Sequence, residues 1–209
     1  MTSRPPVPQP RMTVRFGPLR SVGPTEPCVS VAVVVTFLRM DAPPADAPPP
    51  LPAGLVVTAV RGCTVAQYRH LYNTVGAPHL WWLRRTMPDH NLALLLAEPA
   101  VSIHVLTRDG QPAGFFELDR SNAPVVNLSY FGLMPDVVGQ GFGYAFLRHA
   151  VATAWRPGVA AMTVNTCTAD HPRAMATYLR AGFAPLRRVR EVWNVPTRLG
   201  LTIPIGLRD

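Results

Sequence analysis

The chain has 209 residues, enough for one domain with a small appendage, and at 48% hydrophobic content it can bury a sizeable core. Its net charge of +8 comes from 20 arginines, with no lysine, against 12 acids; this suits an anionic ligand, RNA or an acidic surface alike. The three cysteines (Cys28, Cys63, Cys167) form no spaced pair and the histidines are scattered, which argues against a zinc site and a disulfide framework and makes a reducing cytoplasm the default location.

Residues 1–27 are rich in proline, glycine and arginine and are expected to form a flexible N-terminal segment, although Met12 to Phe16 alternates like an edge strand. Val29 to Leu38 is valine-dominated and far too short to span a bilayer, so it predicts a buried strand and no membrane association. The proline-rich stretch Asp41 to Ala53 reads as an exposed loop or stiff linker. A short strand follows at Leu55 to Val60. Thr64 then caps a helix over Val65 to Val75, with Tyr68 and Tyr72 four apart.

Pro78 is expected to start a second helical segment running through Trp82 to Arg85. On it the adjacent Trp81 and Trp82 must point different ways, one into the core and the other towards an acceptor pocket. Asp89 caps a short helix, Asn91 to Leu96. Val101 to Thr107 and Ala113 to Leu118 form a hairpin across Arg108-Asp-Gly-Gln, and Val125 to Leu133 adds a third strand. A glycine-rich turn leads into a helix whose Tyr144, Leu147, Val151 and Ala154 recur at core spacing. A strand at Ala160 to Thr168, a helix ending Tyr178-Leu-Arg-Ala-Gly-Phe183 and a final strand complete the chain.

The turn is Pro135-Asp-Val-Val-Gly-Gln-Gly-Phe-Gly143. Glycines at alternate positions leave backbone N–H groups free at a helix start, where the macrodipole favours negative charge, so the junction is suited to a phosphate-bearing ligand. A P-loop would need Gly-Lys-Ser/Thr, and a dinucleotide fingerprint would need its third glycine where Tyr144 stands. The whole block from Asn127 to Phe183 resembles instead the GNAT superfamily of acyl-CoA-dependent N-acyltransferases. There, Arg/Gln-x-x-Gly-x-Gly/Ala binds the coenzyme A pyrophosphate and Asn-x-x-Ala-x-x-x-Tyr-x-x-x-Gly-Phe follows on the next helix. Val138 stands at the Arg/Gln position, with Gln140 two places later, and His171 stands at the Asn position.

The resemblance implies an α/β (α+β) fold, a mixed and mostly antiparallel central sheet flanked by helices. Residues 28–209 would form one domain with its coenzyme A-binding core over about 125–183. It implies acetyl-CoA as co-substrate, without a metal, held by Leu133, Val138, Gly139, Gln140, Gly141, Phe142, Gly143, Tyr144 and His171. The pantetheine arm would run between the strands ending at Leu133 and Thr168, and the Leu133 N–H would meet the thioester carbonyl.

Acyl transfer to an amine requires a neutral nucleophile, a polarised carbonyl and a proton for the leaving thiolate. Strand alternation puts Phe115, Glu117 and Asp119 on one face, so Glu117 is either at a solvent edge or facing a cleft. The family's central-strand glutamate implies Glu117 as general base, and its helix tyrosine implies Tyr178 as general acid. Cys167, near a strand end, reads as a buried bystander. With few acids to hold a polyamine, the expected acceptor is a small amine, an amino acid or a peptide N-terminus. The arginines form no basic-aromatic cluster, which argues against a nucleic-acid partner; the N-terminal 50 residues are expected to add strands or a homodimer contact. A non-catalytic acyl-CoA sensor and a basic RNA-binding module are the alternatives.

Overall fold

β-Branched runs, turn residues and helix caps fix the elements in order. A computed structural model describes residues 26–209, so the expectations for the N-terminal segment, including the Met12 to Phe16 strand, lie almost wholly outside the described residues. The strands are β1 (Cys28–Met40), β2 (Leu55–Val60), β3 (Val101–Arg108), β4 (Gln111–Asp119), β5 (Val125–Leu133), β6 (Ala161–Cys167) and β7 (Ala184–Pro196). The helices are α1 (Val65–Gly76), α2 (Leu83–Thr86), α3 (Asp89–Ala97), α4 (Gly143–Ala154) and α5 (Ala174–Arg180). All strands join one sheet in the order β2-β3-β4-β5-β6-β1-β7. Every neighbouring pair is antiparallel except β5 with β6. This is the mixed α/β architecture expected from the sequence.

Local chemistry explains several boundaries. Thr64 and Gln67 form a reciprocal capping box at the start of α1. Asp109 and Gly110 both have positive φ, the backbone that a two-residue hairpin needs between β3 and β4. The helical segment expected from Pro78 to Arg85 is broken instead: a 3-10 turn over Ala77–His79 ends at Leu80, which is left-handed (φ 54°), before α2 begins. The break lets consecutive side chains diverge. Leu80 and Trp82 pack with Val31, Val33 and Val195, while Trp81 joins the main core. The proline-rich loop is tied down at its middle, where Arg148 of α4 donates to the Asp46 carbonyl (2.7 Å) and His149 meets the Pro49 carbonyl (3.2 Å).

Alternation sorts the core onto two faces. Phe115 meets Tyr68 and Trp81 on the α1 face, whereas Phe116 and Phe131 meet Phe146 on the α4 face. On α4, Leu147, Val151 and Ala154 are buried as their spacing predicts. Tyr144 is not: it sits half-buried at the rim with the Arg180 guanidinium 3.9 Å above its ring.

The α1 face also carries a buried ion pair. Glu117 is 1% exposed. One oxygen accepts from the Tyr68 hydroxyl (2.5 Å) and the other from Arg84 Nη2 (3.0 Å), which joins β4 to α1 and α2. Tyr72 Oη accepts from the Arg84 amide, and the Arg84 guanidinium lies 5.4 Å from the Tyr130 ring. Burial works against the Arg84 charge, but Tyr130, Glu117 and Tyr68 around it more than offset that.

Removing one partner of such a pair leaves a buried charge uncompensated, typically at about 3–5 kcal/mol. Glu117→Ala is therefore expected to lose stability on that order in denaturant titration. The double variant Glu117→Leu/Arg84→Met should recover most of it. A single-variant loss below about 1 kcal/mol would mean that the pair adds no more than a surface ion pair does.

Candidate active site

The site begins where the only parallel pairing among the described strands stops. β5 and β6 pair from Val125/Ala161 to Leu128/Val164 and no further. Beyond that point β5 stays with β4 up to Leu133, and β6 stays with β1 up to Cys167. A bulge accompanies the parting: Leu118 faces Leu128 while Glu117 faces Tyr130, which leaves Ser129 as the extra residue. Bulges bend a strand and sharpen its twist, and this one turns β5 away from β6. The Met134 N–H donates to the Ala113 carbonyl on the β4 side (2.9 Å). Peptide alternation therefore turns the Leu133 N–H the other way, into the gap. A cleft of about 2900 Å³ runs through this gap, lined by both diverging strands.

At the mouth of the gap stands the glycine turn. Gly139 (φ 86°) and Gly141 (φ 90°) are both in the left-handed region, which side chains with a Cβ rarely adopt. Val137 and Phe142 are buried and anchor the turn from beneath. α4 starts at Gly143 with no side chain capping it, so its first-turn N–H groups remain available to an anion. Leu133, Val138, Gly139, Gly141, Gly143, Tyr144 and His171 all line the cleft. Gln140 and Phe142 do not. Gln140 braces the turn from outside, accepting from Arg108 Nη1 (2.6 Å) and donating to the Asp136 carbonyl (3.0 Å). Val138, 41% exposed, offers only apolar surface where the motif has a polar side chain.

Tyr178 on α5 forms one wall, its ring edge-on to Phe183 (5.9 Å) and Phe131 (6.5 Å). Its hydroxyl makes no hydrogen bond among the described residues. Burial, and then the Asp170 carboxylate, raise its pKa, so it stays protonated. Glu117 does not line the cleft. Arg84, Tyr72 and Tyr130 of its network do.

Both tryptophans reach the cleft. Trp81 packs at a tilt against Tyr72 (5.3 Å) and Tyr130 (5.0 Å), and Trp82 is anchored in the core beside Leu80. The Cys167 thiol is pushed up to about 12 by burial and by Asp170, so it is no ready nucleophile.

Sequence reasoning missed two cleft residues, His79 and Asp170. His79 comes from the 3-10 turn after α1, and its ring lies 6.3 Å from that of His171, which follows β6. Nothing in the local pattern joins the two; only the fold does. Among the described residues no cluster of His, Cys, Asp or Glu could hold a metal ion, and no helix is long and apolar enough to cross a membrane.

No curated protein matches the chain. Solved structures do, through their fold. A GCN5-related N-acetyltransferase from Kribbella flavida is 18% identical with a TM-score of 0.54, the match covering 79% of this chain and 60% of that one. One from Sphaerobacter thermophilus is 19% identical with a TM-score of 0.54, over 82% and 53%. A tandem GNAT protein from the clavulanic acid biosynthesis pathway is 17% identical with a TM-score of 0.56, over 80% and 55%. The chain thus spans between half and three fifths of the length of these three structures. The family model for the acetyltransferase (GNAT) family matches residues 68–183, more than half of the chain, from the first turn of α1 through the glycine turn to just past the end of α5. The chain belongs to the acetyltransferase (GNAT) family.

Proposed function

We propose that the protein is an acyl-CoA-dependent N-acyltransferase that moves an acetyl group from acetyl-CoA to a primary amine by direct attack in a ternary complex. The observation that carries this reading is the continuous gap from the uncapped start of α4, past the Leu133 N–H, to the Tyr178 hydroxyl. These residues fit the co-substrate: the two left-handed glycines and the free amides of the helix start suit a pyrophosphate, with Arg108 and Arg180 nearby as positive charges. Bound there, acetyl-CoA supplies an activated thioester.

The chain's own groups do the rest. The turn amides hold the phosphates, and the gap between β5 and β6 takes an extended arm in place of the missing strand pairing. The Leu133 N–H polarises the acyl carbonyl, an electrostatic contribution fixed before the reaction begins. Tyr178, protonated, gives its proton or a hydrogen bond to the departing sulfur. The acceptor, a small amine, an amino acid or a peptide N-terminus, enters from the α1 side past Trp81 and Trp82. Glu117 enters this reading as the anchor that fixes Arg84 and Tyr68 beneath the acceptor side rather than as the base, since both its oxygens are engaged. The free cysteines suit a reducing cytoplasm.

The turn is tested by Gly141→Asp. Space around the position is open, so the cost arises from the left-handed backbone and from an anion set where phosphate belongs. Losing one hydrogen bond to a charged group costs about 1.5–3 kcal/mol, so affinity for coenzyme A should fall roughly 10- to 100-fold in calorimetry. Unchanged affinity in the folded variant would remove the turn from the site.

The acid is tested by Tyr178→Phe. Ring packing on Phe131 and Phe183 survives, so fold and coenzyme A affinity should hold. Single-turnover transfer should slow by roughly 10- to 10³-fold, at the low end for a general acid because a thiolate already leaves fairly well. A wild-type rate would reduce Tyr178 to packing. Coenzyme A binding without transfer to any amine in a broad panel would favour an acyl-CoA sensor.

A further inference from the structure

Attack on the thioester needs a proton acceptor that reaches the cleft and is itself unprotonated. Most of the acids lining the cleft have other partners. Asp41 pairs with Arg39 and Glu26 with Arg198, Glu191 accepts from the Trp193 indole, and Asp119 accepts from the Ser121 amide. Of the two cleft imidazoles, His171 accepts from the Arg173 amide through Nδ1 (3.1 Å). In its neutral form its proton is therefore on the other nitrogen, which makes it a donor.

We infer that His79 is the general base of the acyl transfer, with the Asp170 carboxylate as its electrostatic partner. This rests on the N-acyltransferase reading and assigns its missing proton acceptor. His79 stands on the turn after α1, half-buried and lining the cleft, its ring 6.3 Å from that of His171, the residue after Asp170. Asp170 is rigidly held: its Oδ2 accepts from both Thr166 Oγ1 and the Cys167 amide, each at 2.8 Å. The other oxygen makes no hydrogen bond among the described residues.

The field of that one carboxylate acts on His79, Cys167 and Tyr178 alike and favours the protonated form of each. Burial lowers the His79 pKa. Asp170 and the Ala169 carbonyl oppose that shift, and His171 adds to it. His79 is therefore unprotonated at neutral pH, and Asp170 stands ready to stabilise the imidazolium formed during turnover.

The step balances. The amine nitrogen bonds to the acyl carbon as the carbon–sulfur bond breaks. The ammonium proton passes to His79 and then to solvent. Tyr178 protonates the sulfur and is reprotonated from solvent, so one amine proton has become one thiol proton.

The test is the pH dependence of kcat/KM for acetyl-CoA with any accepted amine, in wild type, His79→Gln, His79→Asn and Asp170→Asn, with coenzyme A affinity as the check on folding. Beside the amine's own ionisation, wild-type activity should show a limb that falls as pH drops through the lowered His79 pKa, below the usual value of about 6.5. Both His79 variants should bind coenzyme A normally, lose roughly 10²- to 10⁴-fold in turnover and lose that acidic limb. In Asp170→Asn the limb should move to lower pH, because Asp170 raises the His79 pKa. Turnover within about threefold of wild type and an unchanged acidic limb in both His79 variants would overturn this assignment alone. Absence of transfer by the wild-type chain to every amine tried would overturn the N-acyltransferase reading and this assignment with it.

Discussion

The ending of β5–β6 pairing at Leu128 and Val164 is the constraint on which the rest of the molecule depends. Past that point each strand keeps a partner on its outer side only, so a row of peptide groups faces the gap from either side. Buried backbone N–H and C=O groups are rarely left unpaired, and an extended amide-bearing ligand is a natural third strand. The parting is held in place by β4 and β1 on the outside and by the extra residue Ser129, which bends β5. The uncapped start of α4 opens onto one end of the gap, while Tyr178 and His79 stand along its sides.

The two faces of the sheet divide the chemistry. On the α4 face the turn, Leu133 and Tyr178 form the side suited to a phosphate-bearing arm. On the α1 face lie a tyrosine-rich network, a buried ion pair and two tryptophans. That network is costly to bury, and removing either charged partner would strand the other, so it holds α2 against β4. Shape on the α1 side of the cleft is thereby set by an ion pair and tyrosine hydroxyls beneath the surface.

Features encoded within a few residues were legible in the sequence. Gly139 and Gly141 announce their left-handed backbone directly, Asp109-Gly110 announces its hairpin, and helical spacing set Tyr178 on the inner side of α5. Alternation correctly put Phe115 and Glu117 on one face but could not say what would cover them. The partners of Glu117, Tyr68 and Arg84, lie 49 and 33 residues away. The same limit hid His79 and Asp170: the turn after α1 and the segment after β6 come together only in the fold, where the rings of His79 and His171 lie 6.3 Å apart. The break at Leu80 escaped notice because Pro78 and the residues after it suit a helix locally, whereas packing on two different clusters forces the chain to turn.

The position of β1 sets a timetable for folding. It is the first described strand to leave the ribosome, yet it pairs with β6 and β7, with Cys28 opposite Pro196. The half of the sheet from β2 to β5 pairs strands consecutive in the chain, and β3 to β5 do so across short connections. The other half waits for nearly the whole chain. Such long-range pairing gives a high contact order and slow completion. Until β6 and β7 arrive, the valine-rich run of β1 has none of its sheet partners, which is the kind of segment that nucleates aggregation in nascent or truncated chains.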